Sequence, residues 1–406
     1  MKRRLVLLLV LTIGAGFGLA ADCTMVGAVG RATRDGVTLL AKNRDYPPDA
    51  GQVLMQLPDQ EHPEGAEVQM QYLRVPQSRQ TWRALGFRSL DDRRRDSSLW
   101  RWGLGMGMNR HQVMVACNDA NTWDLFEGPA LHDNDITRLL LERCRTAREA
   151  VDLVDRLLAS HHLQIPEIYT VGDPREVWII ECTGNRWAAV QIEHGTFARA
   201  NRFEIVTPDL PDDSGQFQQS RRDLVEFARS RGQYREEDGR FSFRLSYSKD
   251  YGGPDNILYN ETRFRRALEL LAKIDGRATM PGLAAILRDH YEGWTFSPGE
   301  AAAVSLDPGQ ADPHSNPDNP LRAGVPVRTI CYGKTVGAMV AEADPRSPLE
   351  LGGTLWACLH LPCLNAFVPL FPNLPDALPA SLQVAGERYE AESLWWQLAV
   401  VSRHLE

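Results

Sequence analysis

The sequence predicts an α+β protein built from stacked α and β layers. Three observations carry this. Strand-like runs come in groups, helix-like runs come in other groups, and the regular βαβ alternation of a doubly wound sheet is missing. The residues between strand-like runs are of the hairpin-turn kind. Two amphipathic helical patterns in direct succession indicate a helical layer laid on a sheet. No internal repeat is present.

Taken in order, Met25 to Val29 and Val37 to Ala41 are short apolar runs separated by Arg34-Asp35-Gly36, a β-hairpin pattern. Antiparallel pairing brings the outer ends of a hairpin together, so Cys23 and Lys42-Asn43-Arg44-Asp45 are expected to be neighbours in space. The stretch 88–101 carries the mixed charge run Asp91 to Asp96 and reads as a solvated loop. Leu104 to Met108 and Val113 to Cys117 flank Asn109-Arg110-His111-Gln112, a second hairpin signal. Gly103, Gly105 and Gly107 do not make a phosphate loop, because their spacing is wrong and a strand follows them.

Leu139, Leu140, Arg143 and Cys144 fall on one helix, and Thr146-Ala147-Arg148-Glu149 is a capping box that opens the next. In that second helix Ala150, Val151, Val154, Leu157 and Leu158 recur at helical spacing. Ile168 to Val171, Val177 to Cys182, Trp187 to Ile192 and Phe197 to Ala200 read as strands of a meander, with turns at Asp173-Pro174 and Gly184-Asn185. Helices are expected over Ser220 to Arg231, stopped by Gly232, and over Thr262 to Ile274 and Leu283 to His290. Asp307 to Pro326 is a long loop on its proline content. Strand-like runs resume at Val327 to Tyr332, Thr335 to Ala341 and Gly353 to Leu359, and Ala391 to Val401 closes the chain as a helix.

The formal charge of −8 becomes −11 without the segment carrying Lys2, Arg3 and Arg4, which argues against a nucleic-acid partner. Met1 to Ala21 has a basic start, an apolar run from Leu5 to Ile13 and small residues at Gly18, Ala20 and Ala21, the pattern of a cleaved signal peptide. A membrane anchor fits less well, since the apolar run is short and broken by glycines. Asp22 argues against lipidation of the following cysteine. The expected product is exported, secreted or periplasmic, with no stable membrane anchor and one domain over residues 23–406.

Seven cysteines leave at least one unpaired, and the other six stay open between disulfides and buried thiols. Cys358 and Cys363 flank Leu-His-Leu-Pro, but no second cluster completes a tetrahedral set, so no metal and no cofactor is assigned. Cys23 is the strongest candidate for chemistry. A cysteine freed at a chain terminus has an α-amino group beside it, with a pKa near 8. That group can serve as the base for its own thiol.

The pattern Cys23-Thr24, Asp35-Gly36 and Asn43-Arg44-Asp45 resembles the start of mature cysteine N-terminal nucleophile (Ntn) hydrolases. Five further blocks resemble the dipeptidase A and secernin branch: Thr146-Ala147-Arg148-Glu149-Ala150, Glu176-Val177-Trp178-Ile179-Ile180-Glu181, Ala200-Asn201-Arg202-Phe203, Leu287 to Gly293, and Ser393-Leu394-Trp395-Trp396. The resemblance covers almost the whole chain after the signal segment. It implies a four-layer αββα sandwich with the nucleophile at the start of a central strand, and attack by Cys23 on an amide carbonyl to form an acyl-enzyme. Asp45 is then expected to orient the α-amino group, and Lys42 stands where the wider superfamily often has an arginine. Asn201 is similar to the oxyanion-hole asparagine of the acylases, and Asn118 to a second asparagine of that branch. Arg263 resembles an arginine that orders the site, whereas Trp395 and Trp396 read as core.

The function these residues imply is an exported dipeptidase acting on short peptides, with Asp22 removed either by self-processing or by a signal peptidase. An N-acyl amide hydrolase or acyltransferase of the choloylglycine and penicillin acylase type is the first alternative. A non-catalytic, secernin-like interaction protein is the second. Oligomeric state, homo-oligomer included, stays open.

Overall fold

The computed structural model describes residues 23–46, 51–90, 102–124, 126, 128–206, 217–219, 223–249, 251–253, 256–292, 295–296, 304–305, 328–374, 377–385 and 388–405. The stretch read as a signal segment, Asp22, the charge run within 91–101 and the whole proline-rich stretch Asp307 to Pro326 lie outside the described residues.

In chain order the sheet-forming strands and main helices are β1 (Cys23–Val29), β2 (Thr38–Asp45), β3 (Gly51–Leu57), β4 (Ala84–Leu90), β5 (Met106–Asn109), β6 (Met114–Asp119), α1 (Asp133–Arg143) and α2 (Ala147–Ser160). There follow β7 (Glu167–Gly172), β8 (Val177–Thr183), β9 (Arg186–Ile192), β10 (Gly195–Arg199), β11 (Phe217–Gln219), α3 (Thr262–Ala272), α4 (Met280–Leu287), β12 (Thr335–Ala343), β13 (Thr354–Leu359), β14 (Val368–Leu370) and α5 (Leu394–Leu405). Among the described residues the strands form a six-stranded sheet in the order β10-β1-β2-β12-β13-β14 and an eight-stranded sheet in the order β11-β9-β8-β7-β6-β5-β4-β3.

Alternation along the strands makes the layers. Met25, Val29, Leu40 and Met339 of the smaller sheet meet Met114, Ala116, Ile168 and Ile179 of the larger one in a single core cluster. The residues between them point outward. Val26, Leu39, Ala41 and Val340 pack under Ala267 and Leu271 of α3 and Leu283 and Leu287 of α4. On the opposite side Val115, Tyr169, Val171 and Ile180 pack under Ile136 and Leu140 of α1 and Val151 and Val154 of α2. The architecture is therefore an αββα sandwich. Because both faces of each central strand are buried, these strands read as continuous apolar runs. Each fully buried aliphatic side chain contributes about 1.5–3 kcal/mol.

The expected elements recur with shifted ends. The first hairpin extends to Cys23 and Asp45, Thr146 caps α2 by accepting from Glu149 N, and Gly232 takes φ +68 just past the helix Leu224–Ser230. Two readings change. β10 is not the fourth strand of the meander: it leaves the larger sheet and pairs antiparallel with β1, from Met25 opposite Arg199 to Val29 opposite Gly195. Gly195, at φ +126, turns the chain across, and bare Gly27 admits the Phe197 ring, where a Cβ would fall 2.1 Å from its Cζ. A strand's apolar pattern is silent about its partner, and here the partner decides where Asn201 goes. Residues 328–332, expected as a strand together with Val327, are irregular: Arg328 pairs with Asp45, and Thr329 Oγ1 turns back to the Cys331 carbonyl.

Candidate active site

Cys23 opens β1 opposite Arg44, and Thr24 lies opposite Asn43, so the hairpin places the cysteine beside the Asn-x-Asp segment. The thiol is buried, with Cys23 2% exposed. Its backbone nitrogen donates to Asn201 Oδ1 at 2.9 Å, and its carbonyl accepts from Arg263 Nη1 at 2.7 Å and Asn118 Nδ2 at 3.2 Å. Residues 178, 240 and 95 positions away in sequence thus converge on one residue's backbone.

Arg263 is fully buried and does the most to order this point. Besides the Cys23 carbonyl, its guanidinium donates to Thr24 Oγ1 (3.0 Å), Asn201 Oδ1 (2.9 Å), Asn260 Oδ1 (2.7 Å) and Tyr259 O (2.6 Å). The planar fork of an arginine fits five acceptors in this way; a lysine does not. A π-helical turn, Ile257–Glu261, precedes α3 and presents Tyr259 and Asn260 to it. The neighbouring Arg265 points outward to Glu261, and Arg266 forms a two-pronged pair with Asp289.

Asn201 donates its own Nδ2 to Asp119 O at 2.9 Å. Donors on one end of the amide and an acceptor on the other leave a single orientation consistent with the network. The amide oxygen therefore faces the Cys23 nitrogen, and the NH2 group faces Asp119. This differs from the expected oxyanion contact. Glu181 holds the segment carrying Asn201, accepting from Glu204 N (2.8 Å), Ile205 N (3.0 Å) and Arg199 Nε (3.2 Å). Asn118 Nδ2 also reaches Arg199 O and Ala200 O, each at 3.3 Å.

A register slip between Arg44 and Asp45 ends the regular pairing of β2 with β12. Asp45 is buried there, paired with Arg328 Nη2 and accepting from Thr335 Oγ1 at 2.5 Å. The Cys23 nitrogen thus bonds to Asn201, while Arg328 and Thr335 keep Asp45 in place. Asn43 braces the opposite face, donating to Leu287 O (2.8 Å) and Ile330 O (2.9 Å). Arg328 and Thr335 escaped sequence reasoning, because nothing local marks an arginine after a proline-rich stretch as a partner for Asp45. Glu181 lies inside a block already singled out, but its clamp on the segment after Asn201 had no sequence signal.

Lys42 runs from the smaller sheet to the larger. Its Nζ donates to Cys117 O and to Gly105 O (3.2 Å), and lies 3.9 Å from Cys117 Sγ. Burial opposes its charge, but the Cys117 and Cys23 thiols outweigh that and hold its pKa above the ordinary lysine value. Burial raises the Cys23 thiol too, with Lys42 pulling the other way. An unaided Cys23 is therefore a poorly ionised thiol, which makes a local base necessary for nucleophilic work. None of the seven cysteines is in a disulfide.

Beside Arg44 lies a recess lined by Arg44, Arg88, Ser89, His132 and Asp135, with Gly103 and Gly105 on its wall. Gly105 leaves room for the Arg44 guanidinium, since a Cβ there would fall 1.4 Å from Arg44 Nη1 and displace it. Arg44 donates to Ser89 Oγ at 2.8 and 3.2 Å. Among the described residues no helix is long and apolar enough to cross a membrane.

The model of peptidase family C69 matches residues 22–405. A probable dipeptidase B of Streptococcus pyogenes serotype M1 is 22% identical over 317 residues, which cover 71% of this chain and 59% of that protein. A probable dipeptidase B of Lactococcus lactis subsp. lactis (strain IL1403) is 21% identical over 406 aligned positions, covering 94% of this chain and 80% of that one. Of solved structures, the penicillin V acylase from Agrobacterium tumefaciens superposes with a TM-score of 0.39 at 12% identity, over 83% of this chain and 86% of its own. A mutant of the conjugated bile acid hydrolase from Clostridium perfringens gives 0.39 at 10% identity, over 86% and 96%.

Proposed function

This chain belongs to peptidase family C69, and we propose that it is a cysteine dipeptidase whose nucleophile is Cys23, exported and then trimmed so that Cys23 becomes the first residue of one catalytic domain over 23–406. The observation that carries the reading is the hydrogen bond from the Cys23 nitrogen to Asn201 Oδ1 at 2.9 Å, with Arg263 bonded to both partners. An α-amine in that place keeps one N–H on Asn201 and turns its lone pair toward its own thiol. The thiol proton passes to the amine, the sulfur attacks the scissile carbonyl, and the amine returns the proton to the leaving nitrogen. Water then hydrolyses the thioester by the same route. Asn201 acts by fixing the nitrogen, Arg263 by fixing Asn201 and the Cys23 carbonyl, and Asp45 with Lys42 by setting the field around the sulfur.

Preference for short peptides rests on the family and on the dipeptidase relatives; the recess beside Arg44 has room for about one water and does not hold a peptide. The test is mass spectrometry of the active protein. A terminus at Cys23, and a mass increase on Cys23 when turnover is trapped with a slow ester, support the proposal. An active protein that retains Asp22 overturns it.

Asn118 at the Cys23 carbonyl favours a second reading, hydrolysis of N-acyl amides. A panel of free dipeptides, C-terminally amidated dipeptides and N-acyl amides separates the two. The dipeptidase reading expects KM to rise about 10-fold or more on amidation, the loss of one charge-assisted contact.

A further inference from the structure

On the far side of Asn43 and Asp45, three chain segments bring one histidine and two thiols together. His290 follows α4, Cys331 precedes β12 and Cys363 follows β13. Their ligating atoms all lie within 4.8 Å of one another. Cys358, which the sequence pairs with Cys363, is not part of this set.

The cluster is braced from each side. Glu292 accepts from His290 N at 3.0 Å, and its other oxygen lies 2.9 Å from His290 Nδ1. Tyr291, between them, takes φ +69, a left-handed conformation rare for an aromatic residue. It folds the chain so that Glu292 reaches back to the ring, which leaves Nε2 as the ring atom for the sulfurs. His360, at φ +67, makes the matching bend before Cys363. Cys331 N donates to Asp289 O at 3.0 Å, and Arg288 Nε to Pro362 O at 2.7 Å, so all three segments are tied together. Strain concentrated at two such bends is characteristic of ligand clamps.

We propose that Cys331, Cys363 and His290, through Nε2, form a zinc(II) site with its fourth position open to water. Two sulfurs and an imidazole are a borderline-soft donor set suited to tetrahedral zinc. The Glu292 carboxylate on Nδ1 is the outer partner that fixes the ring of a metal-bound histidine. Cys331 is buried, and His290 and Cys363 are partly buried, so the donor set is largely shielded from bulk water. Binding converts both thiols to thiolates and releases two protons. Among the described residues the Cys117, Asp133 and Glu167 group is the other convergence of ligand types, but the Lys42 ammonium 3.9 Å from Cys117 Sγ repels a cation. Cys331 lies three residues from Arg328, so metal would pin the segment that holds Asp45.

The experiment uses the full chain, prepared under reductant and free of metal, titrated with zinc(II) against a chromophoric chelator and with cobalt(II) by absorption. The proposal expects one ion per chain and a near-ultraviolet thiolate-to-cobalt band. Both persist in Cys23→Ser, which removes the thiol of the catalytic centre as a source of the band, and both vanish in the Cys331→Ser/Cys363→Ser double variant. Affinity falls about 10- to 100-fold in Glu292→Gln, an outward-facing change that keeps the test decisive where the double variant fails to fold. Absence of the thiolate band, or stoichiometry unchanged in the double variant, overturns the site. So does a thiol count two short of seven in unreduced, denatured protein, which would make the pair a disulfide.

Discussion

Lys42 lies between two buried thiols whose surroundings differ in kind. Around Cys23 the peptide nitrogen and carbonyl are both bonded, the neighbouring carboxylate Asp45 has a buried arginine, and every contact comes from a distant part of the chain. Around Cys117 the thiol is pushed by burial to about 11, and neither oxygen of the adjoining Glu167 has a hydrogen-bond partner among the described residues. Burial holds the Glu167 carboxyl well above its usual range, with Cys117 and Asp119 adding to the effect. The difference teaches how the fold handles charge: it is kept where partners are built for it, and quenched by protonation elsewhere.

The strongest way to break this comparison is to exchange the fates of the thiols. Cys23→Ala is expected to lower kcat/KM for dipeptides by at least ~10³-fold with unfolding temperature little changed. Cys117→Ala keeps the nucleophile, and residual activity above that of Cys23→Ala is the check. Next comes the charge at Asp45. Asp45→Asn takes the paired carboxylate away from buried Arg328 and is expected to destabilise by about 3–5 kcal/mol in denaturant titration. Adding Arg328→Met restores much of that stability while activity stays low, since the carboxylate expected to orient and steady the protonated α-amine is gone. Arg263→Lys sharpens the geometry: one ammonium replaces a fork with five acceptors, and kcat is expected to fall about 10²-fold through misplacement of Cys23.

Glu167→Gln probes the quenched side through pH. With its folded pKa raised, Glu167 keeps its proton in the folded chain while the unfolded chain loses it above about 4.5. Stability from this group is complete below that value and declines as pH rises toward the folded pKa. The glutamine form has no such dependence. Its stability relative to wild type should therefore improve as pH rises above about 4.5 and level off once the folded carboxyl ionises, measured by urea titration across that range. The smallest effect belongs to Arg265→Ala, which removes an exposed pair with Glu261 and should change stability by less than about 0.5 kcal/mol.

The hairpin carrying Cys23 and Asp45 was legible because two short apolar runs and an Asp-Gly turn are local facts. The αββα layering rested on the resemblance, and the core clusters bear it out. Arg263 was legible only as a resemblance, although helical spacing already separates it: 263, 266, 267 and 271 are buried and 265 is exposed. The crossing of β10 and the Arg328–Asp45 pair were invisible. Each is a pairing across a long sequence gap, 283 residues for the ion pair, and pattern within a segment carries no information about such partners. Asn201 shows a further limit. Its position followed from the motif, but which end of its amide faces Cys23 depends on Asp119 and Arg263.

The place of β2 between β1 and β12 also governs when the site comes into being. The strands that bear Cys23 and Asp45 are the first described part of the chain to be synthesised, yet Thr335, which secures Asp45, follows 290 residues later. Closing so long a loop is slow, and it follows local structure formation. Until β12 docks, the early hairpin has a free edge and Asp45 lacks its support. The nascent chain therefore carries Cys23 and its motif from the outset but secures Asp45 only once β12 has been made, and a product truncated before Thr335 would hold the motif without that support.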